Sequence, residues 1–522
     1  MQCTALYRNA RILVFIAILI IYFSVISFIN FSAVPSFYDA DMYCDYRYAM
    51  EAWEHKSIFP DGWVFGNQLN AVSTPVLAAL LYGVTGNLNL SMAAACVLMG
   101  VLLMASFDWM IKMAFNETES RLAAIILFIT VSLYCGRAVH GNQGWTLFFT
   151  MCSYYAGYGM TAFLAFGTYL RAFSGSFKNH AATIAVVCIL SFSTGMQSIR
   201  QTAIMIGPVL AVEFLRFLVS LKQWKENKNP LVIAAVITIS NLLGLCYVRM
   251  REINQNQIFG KIEFTSLTEL KQAYIGCVSM IRDLLRPDYP EAFFIWAGIS
   301  ILCMGSLVLI LKKLKREKDI RMLVLSLLMG ASVAVIVAID IFTTMYVRPR
   351  YYFMLYPLLG SLIAFVYDSQ NLKVKWCLFT IVVGFFCITS VRELPKICTS
   401  AIRHEEEVCY EISDYLLENG YTTVYAEWNH GHDVAIASNG KINVGYWYVE
   451  ERPYEKVTHL CSLDIYNADP SRCAYLFVGE DDAEIGISVA ESVGVPLQFL
   501  YHDPKTDTYL YTASSNLMQQ IG

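Results

Sequence analysis

Three carboxylates, Asp39, Asp41 and Asp45, fall within seven residues in the stretch Tyr38-Asp39-Ala40-Asp41-Met42-Tyr43-Cys44-Asp45-Tyr46-Arg47-Tyr48. A carboxylate held at a membrane surface beside aromatic rings is partly desolvated, and burial raises its pKa toward the range in which it serves as a general base. The same residues also describe a solvated acidic loop next to an interfacial aromatic belt, and acidic pairs split by one residue are common by chance. Far along the chain, Arg348-Pro349-Arg350-Tyr351 sets two guanidinium groups at the edge of an apolar run. Planar guanidinium forks suit bidentate recognition of phosphate better than an ammonium does. They equally suit lipid headgroups, or an ion pair with Asp340 on the preceding apolar segment. Asp340 needs a partner, because a bare carboxylate costs about 2.5–3.5 kcal/mol at the centre of a membrane helix.

Other polar groups are sparser. Arg200 is the single charge in the connection Gly195-Met196-Gln197-Ser198-Ile199-Arg200-Gln201, and His140 follows Arg137-Ala138-Val139 in another. Arg282 and Arg286 precede Asp288-Tyr289-Pro290 and a further apolar run. Each is a candidate substrate contact, and each is also an ordinary charge beside a membrane. His430-Gly431-His432-Asp433 holds too few ligands to predict a metal site, so no metal ligand is assigned.

The elements that must position these groups are built for a bilayer. Of 522 residues, 56% are AVILMFWYC and only 15% are DEKR, which excludes a disordered or ordinary water-soluble chain. A net charge of −4 carries no basic footprint for nucleic acid. About 20 apolar residues cross a membrane, and runs of that kind fall near 12–31, 90–113, 122–137, 145–170, 181–199, 201–220, 230–249, 291–311, 322–345, 351–367 and 374–391. The expected fold is therefore a polytopic α-helical membrane protein of about eleven spans over 1–391, with a small C-terminal extracytoplasmic α/β domain over 392–522.

Charge bias fixes the expected orientation. The apolar stretch 71–86 is short, opens with Ser73-Thr74-Pro75 and closes on glycines. If it lies in the interface, within an outer loop 32–89 carrying juxtamembrane helices, sixteen Lys and Arg residues fall in the short loops of one side and four in those of the other. A true span there would invert this balance, against the positive-inside rule. The expected topology is a multi-pass plasma-membrane protein with a cytoplasmic N-terminus and an extracytoplasmic tail.

In that tail, Val408, Ile412 and Leu416 recur at helical spacing over 404–418. Strand-like runs follow at 422–426, 434–437, 442–448, 474–478 and 497–501, with Asn439-Gly440 as a hairpin signal. Cys461 and Cys473 share the tail and could pair if it is extracytoplasmic, although two cysteines that merely share a domain are more often free than bonded.

The order of features resembles the glycosyltransferases of the GT-C superfold, polytopic enzymes that take sugar from a polyprenyl-phosphate carrier, among them the bacterial mannosyltransferase and aminoarabinose-transferase types. An acidic first outer loop with Asp41, Tyr46 and Ala49 is followed by a Pro-containing juxtamembrane stretch, Thr74-Pro75-Val76-Leu77-Ala78-Ala79-Leu80-Leu81-Tyr82-Gly83. A late span opens with Arg348-Pro349-Arg350-Tyr351-Tyr352-Phe353, and a polar domain ends the chain. The family's acidic residue is often followed by another, whereas Ala40 separates Asp39 from Asp41 here.

The resemblance implies an inverting sugar transfer from a polyprenyl-phosphate donor to a glycan, lipid or protein acceptor at the outer membrane face. Asp41 would be the base and Asp39 the reserve. Arg348, Arg350, Tyr351, Arg200, His140, Arg282 and Arg286 would be substrate contacts, with the lipid bilayer as partner. No cofactor is certain, and a divalent metal is possible but not indicated. The competing readings are a transporter or flippase, for which Asp108, Glu213 and Asp340 would mark a path, and a non-catalytic envelope-assembly protein. Neither repeat halves nor matching discontinuous spans favour transport.

Overall fold

The structure, a computed structural model, describes residues 2–32, 40–66, 68–135, 155–173, 181–219, 227–251, 253–255, 263–284, 292–317, 320–345, 349–368, 372–400, 405–448 and 455–521. A long helix, α1 (Gln2–Ser32), leads to the short helix α2 (Ala40–Glu54), the strand β1 (Trp63–Val64) and α3 (Thr74–Thr85). The bundle continues with α4 (Leu88–Lys112), α5 (Thr118–Cys135), α6 (Ala156–Arg171), α7 (Ala181–Gln197), α8 (Ile199–Val219) and α9 (Asn229–Arg251). After α10 (Leu270–Leu284) come α11 (Ala292–Glu317), α12 (Arg321–Phe342), a 3₁₀ turn (Pro349–Tyr352), α13 (Leu355–Asp368) and α14 (Leu372–Ser400).

All eleven expected spans coincide with a helix where they are described. Among the described residues eight helices are long and apolar enough to cross a membrane, while 181–197 and 293–309 are shorter apolar helices. The segment 74–85 is also short. Pro75 opens it, where a missing amide donor costs nothing, and Gly86 closes it at φ +63. α14 runs unbroken through 391 to Ser400, so the expected domain edge falls inside a helix.

Helices cross closely where glycine permits. A Cβ on Gly195 of α7 would collide with the Asn241 carbonyl of α9, and one on Gly244 of α9 would collide with the Phe192 carbonyl of α7. Small residues of this kind let membrane helices approach backbone to backbone. The same crossing carries a polar clasp, with Asn241 Nδ2 donating to the Ser191 carbonyl (2.9 Å) and Ser191 Oγ donating to the Ile237 carbonyl (2.8 Å).

One end of the bundle gathers paired charges. Arg11 forms a buried ion pair with Glu119, which also accepts the Tyr367 hydroxyl at 2.5 Å. Arg121 pairs with Asp108 (3.1 Å), Lys375 with Glu117 (2.5 Å), and Arg216 with Glu213. From Arg11 to Ser32, α1 rises about 31 Å, so Asp41, just past its end, lies at the opposite end of the bundle.

There the C-terminal domain sits. It comprises α15 (Glu405–Glu418), β2 (Thr423–Glu427), α16 (His432–Ala437), β3 (Asn443–Trp447), β4 (Cys461–Ser462), β5 (Cys473–Val478), α17 (Glu480–Ser492), β6 (Leu497–Asp503) and β7 (Thr508–Ala513). The five-stranded sheet has the order β3-β2-β5-β7-β6, parallel from β3 to β5 and antiparallel beyond. Two expectations are corrected. Residues 434–437 belong to a helix, since a short apolar run does not reveal its period. Asn439-Gly440 does take the left-handed turn, at φ 56 and 77, but it joins that helix to a parallel strand and makes no hairpin.

The domain is stitched to the first loop of the bundle. β1 pairs antiparallel with β4, matching Trp63 to Ser462 and Val64 to Cys461. The amide of Val444 donates to the Tyr43 hydroxyl (2.9 Å), and Asn89, at the head of α4, donates to the Ile436 carbonyl (2.9 Å). Cys461 and Cys473 are free thiols.

Candidate active site

Asp41 stands in the first turn of α2, where the positive end of the helix dipole favours a carboxylate. Its partner comes from 309 residues away: Arg350 Nη2 lies 3.4 Å and Nη1 3.5 Å from Asp41 Oδ2. The side chains are 12% (Arg350) and 29% (Asp41) exposed, so the carboxylate remains open to a ligand while the guanidinium is largely enclosed. Pro349 starts the 3₁₀ turn that delivers Arg350 and Tyr351, its fixed φ suiting a first helical position.

Arg200 joins this group from α8. The break between α7 and α8 is one residue, Ser198, whose hydroxyl accepts the Arg200 amide (3.2 Å). The guanidinium carbon then lies 3.8 Å from the Tyr351 ring centroid, a cation–π contact. Its Nη1 donates to the Tyr155 hydroxyl at 3.2 Å. Its Nε is buried with no hydrogen-bond partner among the described residues. Tyr155 caps the start of α6 and stacks on Phe353 at 5.0 Å, within electrostatic reach of Arg200, Arg350 and Asp41. The floor is pinned from below, as Tyr158 donates to Gln68 Oε1 (2.7 Å) and Gln197 Oε1 accepts the Val72 amide (2.8 Å).

The C-terminal domain closes one side. His459 is 6% exposed, lies 5.1 Å from the Trp428 ring and 6.2 Å from that of Tyr448, and meets the Tyr448 hydroxyl through Nδ1 at 3.1 Å. Burial pushes its pKa down to about 4, against the upward pull of the nearby Asp41 charge. At neutral pH the imidazole is uncharged.

Of the residues singled out from sequence, Asp41, Arg350, Tyr351 and Arg200 converge. Asp39, Arg348, His140 and Arg286 lie outside the described residues. Arg282 is exposed on α10 and pairs with Asp283 (3.0 Å) and Ser279 (3.3 Å) of its own helix. Among the described residues, Asp340 accepts the Tyr352 hydroxyl (2.5 Å), which also meets the Cys277 thiol (3.1 Å). His430 faces Glu427 (3.3 Å) and Asp433 accepts the Cys409 thiol (2.7 Å). Tyr155, Phe353 and His459 were not legible. Tyr155 and Phe353 read as apolar-span aromatics, and His459 as one tail histidine among several.

The arrangement sets a partly exposed carboxylate against one guanidinium, with a second guanidinium held close by through the Tyr351 ring and the Tyr155 hydroxyl. Such a set can accept a proton and hold an anion side by side.

No protein-family model matches the sequence, and no curated protein does. Solved structures do. The chain is similar to ArnT from Cupriavidus metallidurans in its apo state, with a TM-score of 0.56 at 11% identity, covering 98% of this chain and 99% of that one. It is likewise similar to the same protein bound to undecaprenyl phosphate, with a TM-score of 0.52 at 10% identity and the same coverage. At such identity the likeness speaks to architecture, over nearly the full length of both chains. The chain therefore has a GT-C-like fold, that of a multi-pass membrane protein carrying a C-terminal α/β domain.

Proposed function

We propose that the protein transfers a sugar from a polyprenyl-phosphate donor to an acceptor at the outer face of the plasma membrane, with inversion. The observation that carries this reading is the meeting of Asp41 and Arg350 at the end of the bundle, with Arg200 beside them. The ArnT structure with undecaprenyl phosphate supports it as a relative in fold that binds such a carrier. Orientation follows from charge: Lys112, Arg121, Arg216 and Lys375 lie at the other end, which the positive-inside rule assigns to the cytoplasm.

The donor's chain stays in lipid while its phosphate enters beside Arg350 and Arg200. A phosphate there competes with Asp41 for the Arg350 guanidinium, and its arrival releases the carboxylate to act as base. Asp41 then takes the proton of the acceptor hydroxyl as that oxygen attacks the anomeric carbon from the side opposite the phosphate. The bond from the anomeric carbon to the phosphate oxygen breaks, and the leaving phosphate keeps the electron pair. Fixed positive charge near that oxygen lowers the barrier without reorganisation. Tyr351 holds Arg200 in place by its ring. Asp39 is the alternative base, and Arg348 a further phosphate contact.

The test is a transfer assay in membranes with radiolabelled polyprenyl-phosphate sugars, comparing wild type, Asp41→Asn and Asp39→Asn. Activity retained in both variants removes the assignment of the base. The buried and membrane-level charges Asp108, Glu213 and Asp340 are each satisfied by a neighbour, so no observation favours the transporter.

A further inference from the structure

Tyr274, Ile275 and Val278 of α10 are 57%, 55% and 46% exposed, and Phe264 and Leu267, just before the helix, are almost fully so. An apolar patch of this kind marks a surface that meets another apolar phase. Spacing sorts the helix into three stripes. At about 100° per residue, Cys277, Met280, Ile281 and Leu284 share one stripe, which packs into the core of the bundle. Tyr274, Ile275 and Val278 centre about a third of the way round from it, and Gln272, Ser279 and Asp283 about a third further. The helix is packed on one side, apolar and exposed on the second, and polar on the third.

Hydrogen bonds fix the level at which this helix lies. The Thr265 amide donates to the Phe342 carbonyl (3.0 Å) and the Thr344 amide to the Glu263 carbonyl (2.9 Å), which laces the entry of α10 to the last turn of α12. Farther along, the Cys277 thiol meets the Tyr352 hydroxyl (3.1 Å), which donates to Asp340 (2.5 Å) of that same turn. Asp340 and Phe342 are only about 3 Å apart along the α12 axis, so α10 runs across the end of α12, level with the 3₁₀ turn that carries Arg350. α11, joined to α12 by a short connection, begins at this end with Phe293 and Phe294, both 74% exposed. Aromatic side chains collect in this way at the headgroup level of a membrane. Arg282 shares the apolar stripe by position, yet its guanidinium bonds Asp283 (3.0 Å) and Ser279 (3.3 Å) on the polar one, as a snorkelling side chain does. Lys271 and Arg282 balance Glu269 and Asp283, so the segment carries no net charge that would select an anionic partner.

We infer that α10 is seated in the lipid leaflet at the Asp41 end of the bundle, with Tyr274, Ile275 and Val278 against acyl chains and the polar stripe turned to water. A helix of this type sinks about 5–10 Å into the boundary between headgroups and acyl chains. Lipid is the occupant because the neighbouring helices expose Phe342, Phe293 and Phe294 at the same level, and α12 is itself long and apolar enough to cross a membrane. The inference stands apart from the transferase reading. It gives the bilayer a hold, through Cys277 and Tyr352, on the turn that delivers Arg350.

The test uses the full-length wild-type protein in phosphatidylcholine nanodiscs doped with a phosphatidylcholine that carries a diazirine near the glycerol end of one acyl chain. After irradiation, adducts are mapped by mass spectrometry, with Ile388, exposed on the apolar helix α14, as the reference. In parallel, hydroxyl-radical footprinting compares Tyr274 with Tyr410, an exposed tyrosine of the C-terminal domain. Adducts at 274–278 should come within about threefold of those at Ile388, and Tyr274 should be oxidised about tenfold more slowly than Tyr410. Either adducts missing from 274–278 while Ile388 is labelled, or oxidation of Tyr274 as fast as that of Tyr410, overturns the inference. Missing adducts with slow oxidation would assign the face to a protein partner instead.

Discussion

His459 makes the docking of the C-terminal domain sensitive to mild acid. In the folded protein burial holds its pKa at about 4, against 6.5 for a free imidazole. Above pH 6.5 it is neutral in both the closed and the opened state, and pH has no effect through it. As pH falls below 6.5 the opened segment takes up a proton that the closed one refuses, and the closed state loses stability until about pH 4. The full difference of 2.5 pKa units is about 3 kcal/mol, and at pH 5 the expected loss is already about 2 kcal/mol, or about 30-fold in the opening equilibrium. Hydrogen exchange of the full-length protein, corrected for intrinsic rates, reads this directly over 455–462. Protection there should fall about 20-fold from pH 7 to pH 5 in wild type, and His459→Phe should abolish that slope. Removing the neighbouring anion with Asp41→Asn should steepen it, because Asp41 is what pulls the imidazole pKa upward. A pH-independent protection in wild type, or an identical slope in His459→Phe, would refute the reasoning.

Three further outcomes follow from the packing. Arg350→Lys and Arg200→Gln each remove a fork suited to phosphate, and the KM for the labelled donor should rise about 10-fold to 100-fold, the worth of one charged hydrogen bond. Glu119→Ala strands the buried Arg11 guanidinium and should destabilise the bundle by about 3–5 kcal/mol; a thermal-shift assay that finds no change contradicts the buried pair. Gly157→Ala would drive a Cβ into the Val72 carbonyl, and overpacking of this kind costs about 1–3 kcal/mol. Because Val72 belongs to the loop that floors the site, transfer should fall along with melting temperature, and a neutral result would mean the close approach is absent.

Long apolar runs are legible because a bilayer demands about 20 residues of one character, and every expected span is a helix where described. The tail was harder. β2, β3 and β5 show as short runs of aromatic and aliphatic residues, yet 434–437 looked like a strand and is the helix α16, since four apolar residues carry no readable period. β7 and α17 went unread because their apolar residues are interleaved with Thr, Ser and acidic groups. At the site, Asp41, Arg350, Tyr351 and Arg200 were legible as polar residues with no business in lipid. What the chain order hides is pairing: Asp340 lies nearer Arg350 in sequence but bonds Tyr352, while Arg350 crosses to Asp41. His459 and Tyr155 acquire meaning through neighbours far along the chain, Trp428 and Asp41 for the one, Arg200 and Phe353 for the other.

The central claim is that Asp41 is the base at a lipid-linked sugar, and turnover measures it most directly. Wild type and Asp41→Asn would be compared in nanodiscs with a radiolabelled polyprenyl-phosphate sugar under saturating donor. The substitution keeps an acceptor for Arg350 at a partly exposed pair, where net stability changes stay near 1 kcal/mol or less. It should therefore lower kcat by about 10²–10⁴-fold at nearly constant melting temperature. Wild-type turnover in Asp41→Asn would contradict the account.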